Sequence, residues 1–266
     1  MEQPLGFVDI HCHLLPGLDD GASTWDEALA MAEIAAADGI STIVATPHQL
    51  GSYAANQGDA IRARVGGLQS LLEERGIPLE VLPGADVRIE PGLVAKIRSG
   101  AIVTLADQGR HVLLELPHEV YLPLDRLLAN FEAAGLVAVL SHPERNAGIM
   151  ERPKVVASLV ARGCLVQVTA AALTGGFGSR VRQVAESLVA QGLVHFVSTD
   201  AHGPRLRPPL LAQAFERAAE IAGHDAAVEL FCRNPAAVVS GGEVVPGPRK
   251  WAKPRRVGWL PWRNAG

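Results

Sequence analysis

Short apolar runs rich in β-branched residues recur along the chain between longer stretches of helical periodicity. The strand candidates are residues 7–10 (FVDI), 42–46 (TIVAT), 79–83 (LEVLP), 112–116 (VLLEL), 137–141 (VAVLS), 164–169 (CLVQVT) and 194–199 (VHFVST). They are near-continuous apolar runs rather than polar–apolar alternations, as parallel strands covered on both faces require. Helices are predicted near 24–38, 58–75, 91–99, 122–134, 152–162 and 178–191, with further helical pattern after residue 208. Ser23 or Thr24 can cap the first helix, Glu27 is placed for a capping box, and Gly39, Gly76, Gly135, Gly163 and Gly192 follow helix ends. Seven β–α repeats with no internal linker predict one α/β domain, a barrel of parallel strands, rather than two domains.

Composition agrees with that picture and narrows it. The 266 residues are 48% hydrophobic, enough to bury a sizeable core, which excludes disorder across the chain. A net charge of −4 argues against a partner such as nucleic acid, which calls for a basic excess. Cys12, Cys164 and Cys232 form no C-x-x-C pair and no disulfide framework, and none is followed five residues later by Arg, so a thiolate phosphate loop is excluded. The N-terminal MEQPLGFVDI is not a signal peptide, and no apolar run approaches the ~18 residues of a transmembrane helix, so a cytoplasmic protein is expected. From Glu243 the character changes: residues 243–266 hold six basic residues, one acid and three of the four tryptophans. The body, residues 1–242, therefore stands at −9 and carries a basic, Trp-rich tail.

The polar residues gain meaning when laid against the strands. His11 and His13 end the first, an i, i+2 pair that points both imidazoles to one side, and Asp19 and Asp20 follow in the next loop. His48 follows the second strand, Asp86 the third, Glu115 ends the fourth, His142 follows the fifth, and Asp200 and His202 end the seventh. In a parallel barrel all of these converge on the C-terminal rim. So many carboxylates in one place would repel one another without cations. Five histidines with four carboxylates exceed what one tetrahedral ion takes, so two or three metal ions are expected. His111, His118, His195 and His224 are expected to be structural or on the surface, with His118 near enough to reach the rim. Arg145, in HPERN, and Arg205 and Arg207 supply guanidinium forks suited to a phosphate. Gly175, Gly176 and Gly178 could turn backbone N–H groups toward an anion.

In order, the segments DIHCHLLPGLDDGA, ATPH, LLELP, SHPERN, QVTAAALTGGFG and STDAHGPRLRPP resemble the PHP (polymerase and histidinol phosphatase) superfamily over residues 8 to 240. Within it they look like the manganese-dependent bacterial protein-tyrosine phosphatases encoded with capsule and exopolysaccharide genes. The resemblance implies a distorted (β/α)7 TIM-like barrel with three metal positions: His11 and His13 with Asp200; Glu115 and His142, with Asp86 bridging the two; and Asp20, His48 and His202. It implies Mn, and Arg145 with Arg207 (in preference to Arg205) on the phosphoryl oxygens; the oxygen and imidazole donors themselves, without thiolate, suit Mn, Fe or Zn alike. Asp86 is a departure, because the family usually carries Glu there.

The expected activity is hydrolysis of phosphotyrosine by a metal-bound hydroxide, without a phosphoenzyme, and the implied partner is an autophosphorylating bacterial tyrosine kinase. A phosphatase of a small phosphomonoester such as histidinol phosphate, a metal-dependent amidohydrolase and a non-catalytic binding protein using the tail are the competing readings. The multiple acids and HPERN favour phosphate over a ring amide.

Overall fold

A computed structural model describes residues 6–245 and Arg249. Among the described residues nine strands form, all paired in parallel: β1 (Phe7–Cys12), β2 (Ile40–Ala45), β3 (His48–Gln49), β4 (Glu80–Pro83), β5 (Asp86–Arg88), β6 (His111–Glu115), β7 (Val137–Leu140), β8 (Leu165–Thr169) and β9 (Phe196–Ser198). They make a three-stranded sheet, β1-β2-β4, and a six-stranded sheet, β3-β5-β6-β7-β8-β9. All seven expected strand positions are occupied, and two short strands not expected, β3 and β5, continue the second and third runs after a break. Pro47 interrupts the second run between β2 and β3, as a residue without an N–H must interrupt a ladder, and Gly84–Ala85 divides β4 from β5. The N–H of Thr46 bonds the Cys12 carbonyl at 2.9 Å, and that of Asp86 the Pro47 carbonyl at 3.2 Å. The result is a mixed α/β fold with a curled parallel sheet.

The helices cover the convex face. The first, Trp25–Ala37, is capped by Thr24, whose Oγ accepts the Glu27 N–H at 3.2 Å, while the Glu27 carboxylate accepts the Ser23 N–H at 2.7 Å. The concave face holds a compact apolar cluster of Val8, Ile10, Val44, Leu113, Val139, Leu165 and Phe196. Strand parity then decides what lies above it. Residues two further along β6, β8 and β9 face the same way, which turns Glu115, Gln167 and Ser198 inward.

β1 is the exception, and the exception builds the site. The register of β1 against β2 shifts between Asp9 and Cys12. Ile10 belongs to the concave cluster, yet Cys12 packs in the outer core. A bulge re-aims side chains, and here it brings His11 and His13 inward in place of Cys12. At the start of the tail, Glu243 pairs with Arg110 at 3.0 Å, Val244 is buried in the concave cluster, and the Arg249 N–H bonds the Gly192 carbonyl at 2.8 Å. The rest of the basic, Trp-rich tail lies outside the described residues. Among the described residues, no helix is long and apolar enough to cross a membrane.

Candidate metal centre

Nine side chains converge above the concave cluster. The Nε2 atoms of His11 and His13 face each other at 3.3 Å, and both approach Asp200 Oδ1, at 3.3 and 3.5 Å. Asp86 Oδ2 stands 3.6 Å from His11 Nε2 and 3.5 Å from His48 Nδ1, and Glu115 Oε2 is also 3.5 Å from His48 Nδ1. Asp20 Oδ1 lies 3.5 Å from both His48 Nε2 and His202 Nε2. Donor atoms lie within 4.8 Å of one another in four sets: His13, Asp20, His48 and His202; His11, His142 and Asp200; His11, His13 and Asp86; and His48, Asp86 and Glu115. All nine sequence-derived ligands are in these sets. Their partition differs from the one the resemblance implied, because His13 joins the third set and His48 adjoins the Asp86–Glu115 pair.

Supporting contacts fix the rings. Asp19 accepts from His13 Nδ1 at 2.7 Å and from the N–H groups of Gly21 and His48 at 2.9 and 3.0 Å. A Cβ on Gly21 would lie 2.2 Å from the His13 carbonyl oxygen, so only glycine closes this loop. Gln167 Oε1 meets His11 Nδ1 at 3.0 Å and accepts the His142 N–H at 3.3 Å. Carboxylate and amide partners of this kind orient an imidazole so that its other nitrogen is free to ligate. Neither Gln167 nor Asp9 is visible as a site residue in the sequence. Asp9 accepts from the Thr199 and His11 N–H groups and from the Thr199 hydroxyl, which holds β1 to the Asp200 turn. His142 and Asp200 both adopt positive φ, +30° and +51°, strain of about 1–3 kcal/mol each that the surroundings must hold.

The electrostatics favour bound cations. Burial drives the Asp86 carboxyl well above its ordinary range, reinforced by Glu115 and Asp200. Both of its oxygens are buried without a hydrogen-bond partner. Burial likewise lifts Glu115 to about 7 and lowers His11 to about 3. At His13 burial works the other way from Asp19 and Asp200, and the carboxylates prevail, raising it to about 10. A buried carboxylate without a donor, beside imidazole nitrogens that converge on it, is a donor set missing its positive charge. The residues fit divalent metal: oxygen and imidazole ligands with no thiolate suit Mn, Fe or Zn.

Arg145 and Arg207 both pair with the Asp200 carboxylate, and Arg207 also bonds the Asp200 carbonyl at 2.7 Å. Arg205 is exposed on the same loop. The glycine-rich segment does something other than expected. The N–H groups of Gly175, Gly176 and Gly178 are engaged by the carbonyls of Ala172, Ala171 and Gly175 at 3.3, 2.7 and 3.0 Å. Instead of amides it presents Phe177, whose ring lies 4.5 Å from the Arg145 guanidinium and 5.8 Å from that of Arg207. Among the remaining histidines, His118 is half-exposed at the rim, 3.8 Å from Glu115, and its ring stacks on His142. His111 and His195 are buried away from the cluster, and His224 packs edge-on to Phe215 at the surface.

A fold of this kind with such a site defines a metal-centred hydrolase class, and relatives narrow it. The family described as "Capsular polysaccharide synthesis, CpsB/CapC" matches residues 7–240, and the chain belongs to it. The tyrosine-protein phosphatase YwqE of Bacillus subtilis is 36% identical over 202 residues, 75% of this chain and 79% of that protein. The tyrosine-protein phosphatase CpsB of Streptococcus pneumoniae is 27% identical over 238 residues, covering 87% and 98%. A crystal structure from work on YwqE and S. pneumoniae CpsB, described as unique metal-dependent tyrosine phosphatases, superposes with a TM-score of 0.86 at 31% identity, over 93% of this chain and all of that one.

Proposed function

We propose that this protein is a metal-dependent protein-tyrosine phosphatase. Two or three divalent ions, Mn foremost, would be held by His11, His13, Asp20, His48, Asp86, Glu115, His142, Asp200 and His202. The observation that carries the reading is Asp86, whose two buried oxygens have no donor and which belongs to two of the four ligand sets. Such ions supply Lewis-acid charge to a phosphoryl group and a water acidified toward neutral pH. The chain's own residues do the rest. Arg145 and Arg207 grip equatorial phosphoryl oxygens with their planar forks, and Phe177 keeps both guanidiniums beside Asp200. Asp19 and Gln167 hold His13 and His11 with Nε2 toward the pocket. Phenolate leaves readily, so the scissile oxygen needs little protonation.

The curled sheet is read as a distorted (β/α)7 barrel, supported by its ends: the His13 N–H bonds the Ala201 carbonyl at 2.9 Å and the Asp200 N–H the His11 carbonyl at 2.7 Å. Residues 1–242 would be the catalytic domain and 243–266 an appended tail. The substrate would be a tyrosine-phosphorylated protein of polysaccharide synthesis, a bacterial tyrosine kinase above all, met in the cytoplasm, where the three free cysteines Cys12, Cys164 and Cys232 stay reduced. The test is turnover of a phosphotyrosine peptide and of histidinol phosphate by one preparation of measured metal content. Peptide turnover that falls with the metal on chelation supports the reading. Equal activity in metal-stripped protein, or a preference for histidinol phosphate, overturns it.

A further inference from the structure

Resting on that phosphatase reading, we propose that a cleft leading out of the metal pocket seats the polypeptide next to the phosphotyrosine, with Leu206 as its apolar anchor. The cleft has a volume of about 750 Å³ and runs between the 203–207 loop and the start of helix Trp25–Ala37. Asp20, His202 and Arg207 line it together with Asp26 and Leu206, so its inner end is continuous with the site that takes the phosphoryl group. That is more room than one phosphorylated side chain fills, and the continuity fixes the occupant. Whatever enters the outer part is the part of the substrate that continues from the phosphotyrosine.

The loop is built to present its tip. The N–H groups of His202 and Gly203 both donate to the Arg207 carbonyl, at 3.0 and 3.4 Å, which closes its base. Arg205 and Leu206 are left exposed at the tip, Leu206 to 97%. One exposed leucine is ordinary. Its position is what matters: among the described residues, the exposed large hydrophobics are Trp25, Val120, Leu122, Leu206, Leu210 and Val245, and of these Leu206 alone lines the cleft. A water-exposed apolar side chain on the wall of a cleft that opens into the phosphoryl site is placed for contact with another chain. A small phosphomonoester needs no such surface, and an extended polypeptide does.

The experiment uses the full-length, metal-loaded protein and two substrates, p-nitrophenyl phosphate and a ten-residue phosphotyrosine peptide with leucine beside the phosphotyrosine. The readout is the ratio of kcat/KM for peptide to kcat/KM for the small substrate. Leu206→Ser is expected to lower that ratio about 5- to 10-fold through peptide KM, the effect of losing one partly covered apolar contact. Leu206→Met is expected to retain most of it. An unchanged ratio in Leu206→Ser, or a loss equal for both substrates, overturns the anchor. Wild-type protein that turns over neither aryl phosphate would overturn the phosphatase reading instead.

Discussion

Asp9 and Asp86 are both carboxylates with no solvent exposure, next to the same pocket, and their surroundings are opposite. Asp9 accepts three hydrogen bonds, from the Thr199 N–H and hydroxyl and the His11 N–H. Burial still raises it to about 6, but those donors restrain the shift. Asp86 has no donor at all. The difference separates two uses of a buried acid. Asp9 ties the first strand to the Asp200 turn, and its needs are met within the chain. Asp86 is held by the strand register among imidazoles and other acids, where no donor reaches it and a bound cation would meet its needs. Stability and function are therefore divided between neighbouring residues of one type, and the two can be pulled apart by substitution.

The largest effect is expected at Asp86. Asp86→Asn should lower kcat/KM for an aryl phosphate on the order of 10³-fold, with less metal bound per chain in elemental analysis, because an anionic group that would hold metal is lost. The same change should stabilise the metal-free protein by about 1–3 kcal/mol in urea unfolding, since it removes a buried carboxyl whose burial the chain does not offset with a donor. Lower stability of metal-free Asp86→Asn would break the contrast with Asp9.

Asp9→Ala should do the reverse. It leaves the Thr199 and His11 N–H groups buried without the carboxylate acceptor and the Thr199 hydroxyl with only the His11 carbonyl at 3.3 Å, at a cost of about 2–4 kcal/mol. The melting temperature should fall by several degrees, at about 2–4 °C per kcal/mol for a chain of this size. Metal content per folded molecule should stay close to wild type. Loss of all metal at unchanged stability would make Asp9 part of the metal site rather than its support.

How much of this is legible in the sequence follows the range of the interaction. Parallel strands buried on both faces read as apolar runs, so seven of the nine described strands are visible, and the candidate site residues follow from their place at strand ends. The breaks at Pro47 and Gly84 leave continuations of two and three residues, too short to carry a periodicity. The β1 bulge, Asp9 and Gln167 are invisible because their partners are remote: Asp9 meets Thr199 190 residues away, and Gln167 meets His11 156 residues away. The glycine-rich segment shows the opposite failure. Its letters are the same whether its amides face an anion or close the turns at helix ends, and here they close turns.

A third test uses pH. The folded-state pKa of Asp86 is raised above its unfolded value, so its favourable contribution is full below the ordinary carboxylate range and is lost as pH rises toward the folded value. Asn at this position does not titrate. The stability gap between metal-free Asp86→Asn and metal-free wild type should therefore be small near pH 4 and widen with pH, by at most about 1.4 kcal/mol per unit. Chemical unfolding at pH 4, 5.5 and 7 measures it. A gap that narrows with rising pH would mean that donors reach Asp86 in solution.

The smallest effect is expected at Phe177, and it sharpens what the Asp200 side of the pocket is for. Arg145 and Arg207 both rest near this ring and both reach Asp200, so they stand ready where phosphoryl oxygens would arrive. Cation–π attraction at a partly solvated site is worth about 0.5–1 kcal/mol per pair. Phe177→Leu keeps an apolar side chain of similar reach but removes the ring face, so KM for p-nitrophenyl phosphate and the inhibition constant of inorganic phosphate should both rise about 2- to 5-fold. Because the substitution leaves every metal ligand in place, kcat and metal content should change little. A fall in kcat with KM unchanged would mean that Phe177 acts on the transition state rather than on the ground-state grip. Unchanged phosphate inhibition would release the two arginines from their assigned role.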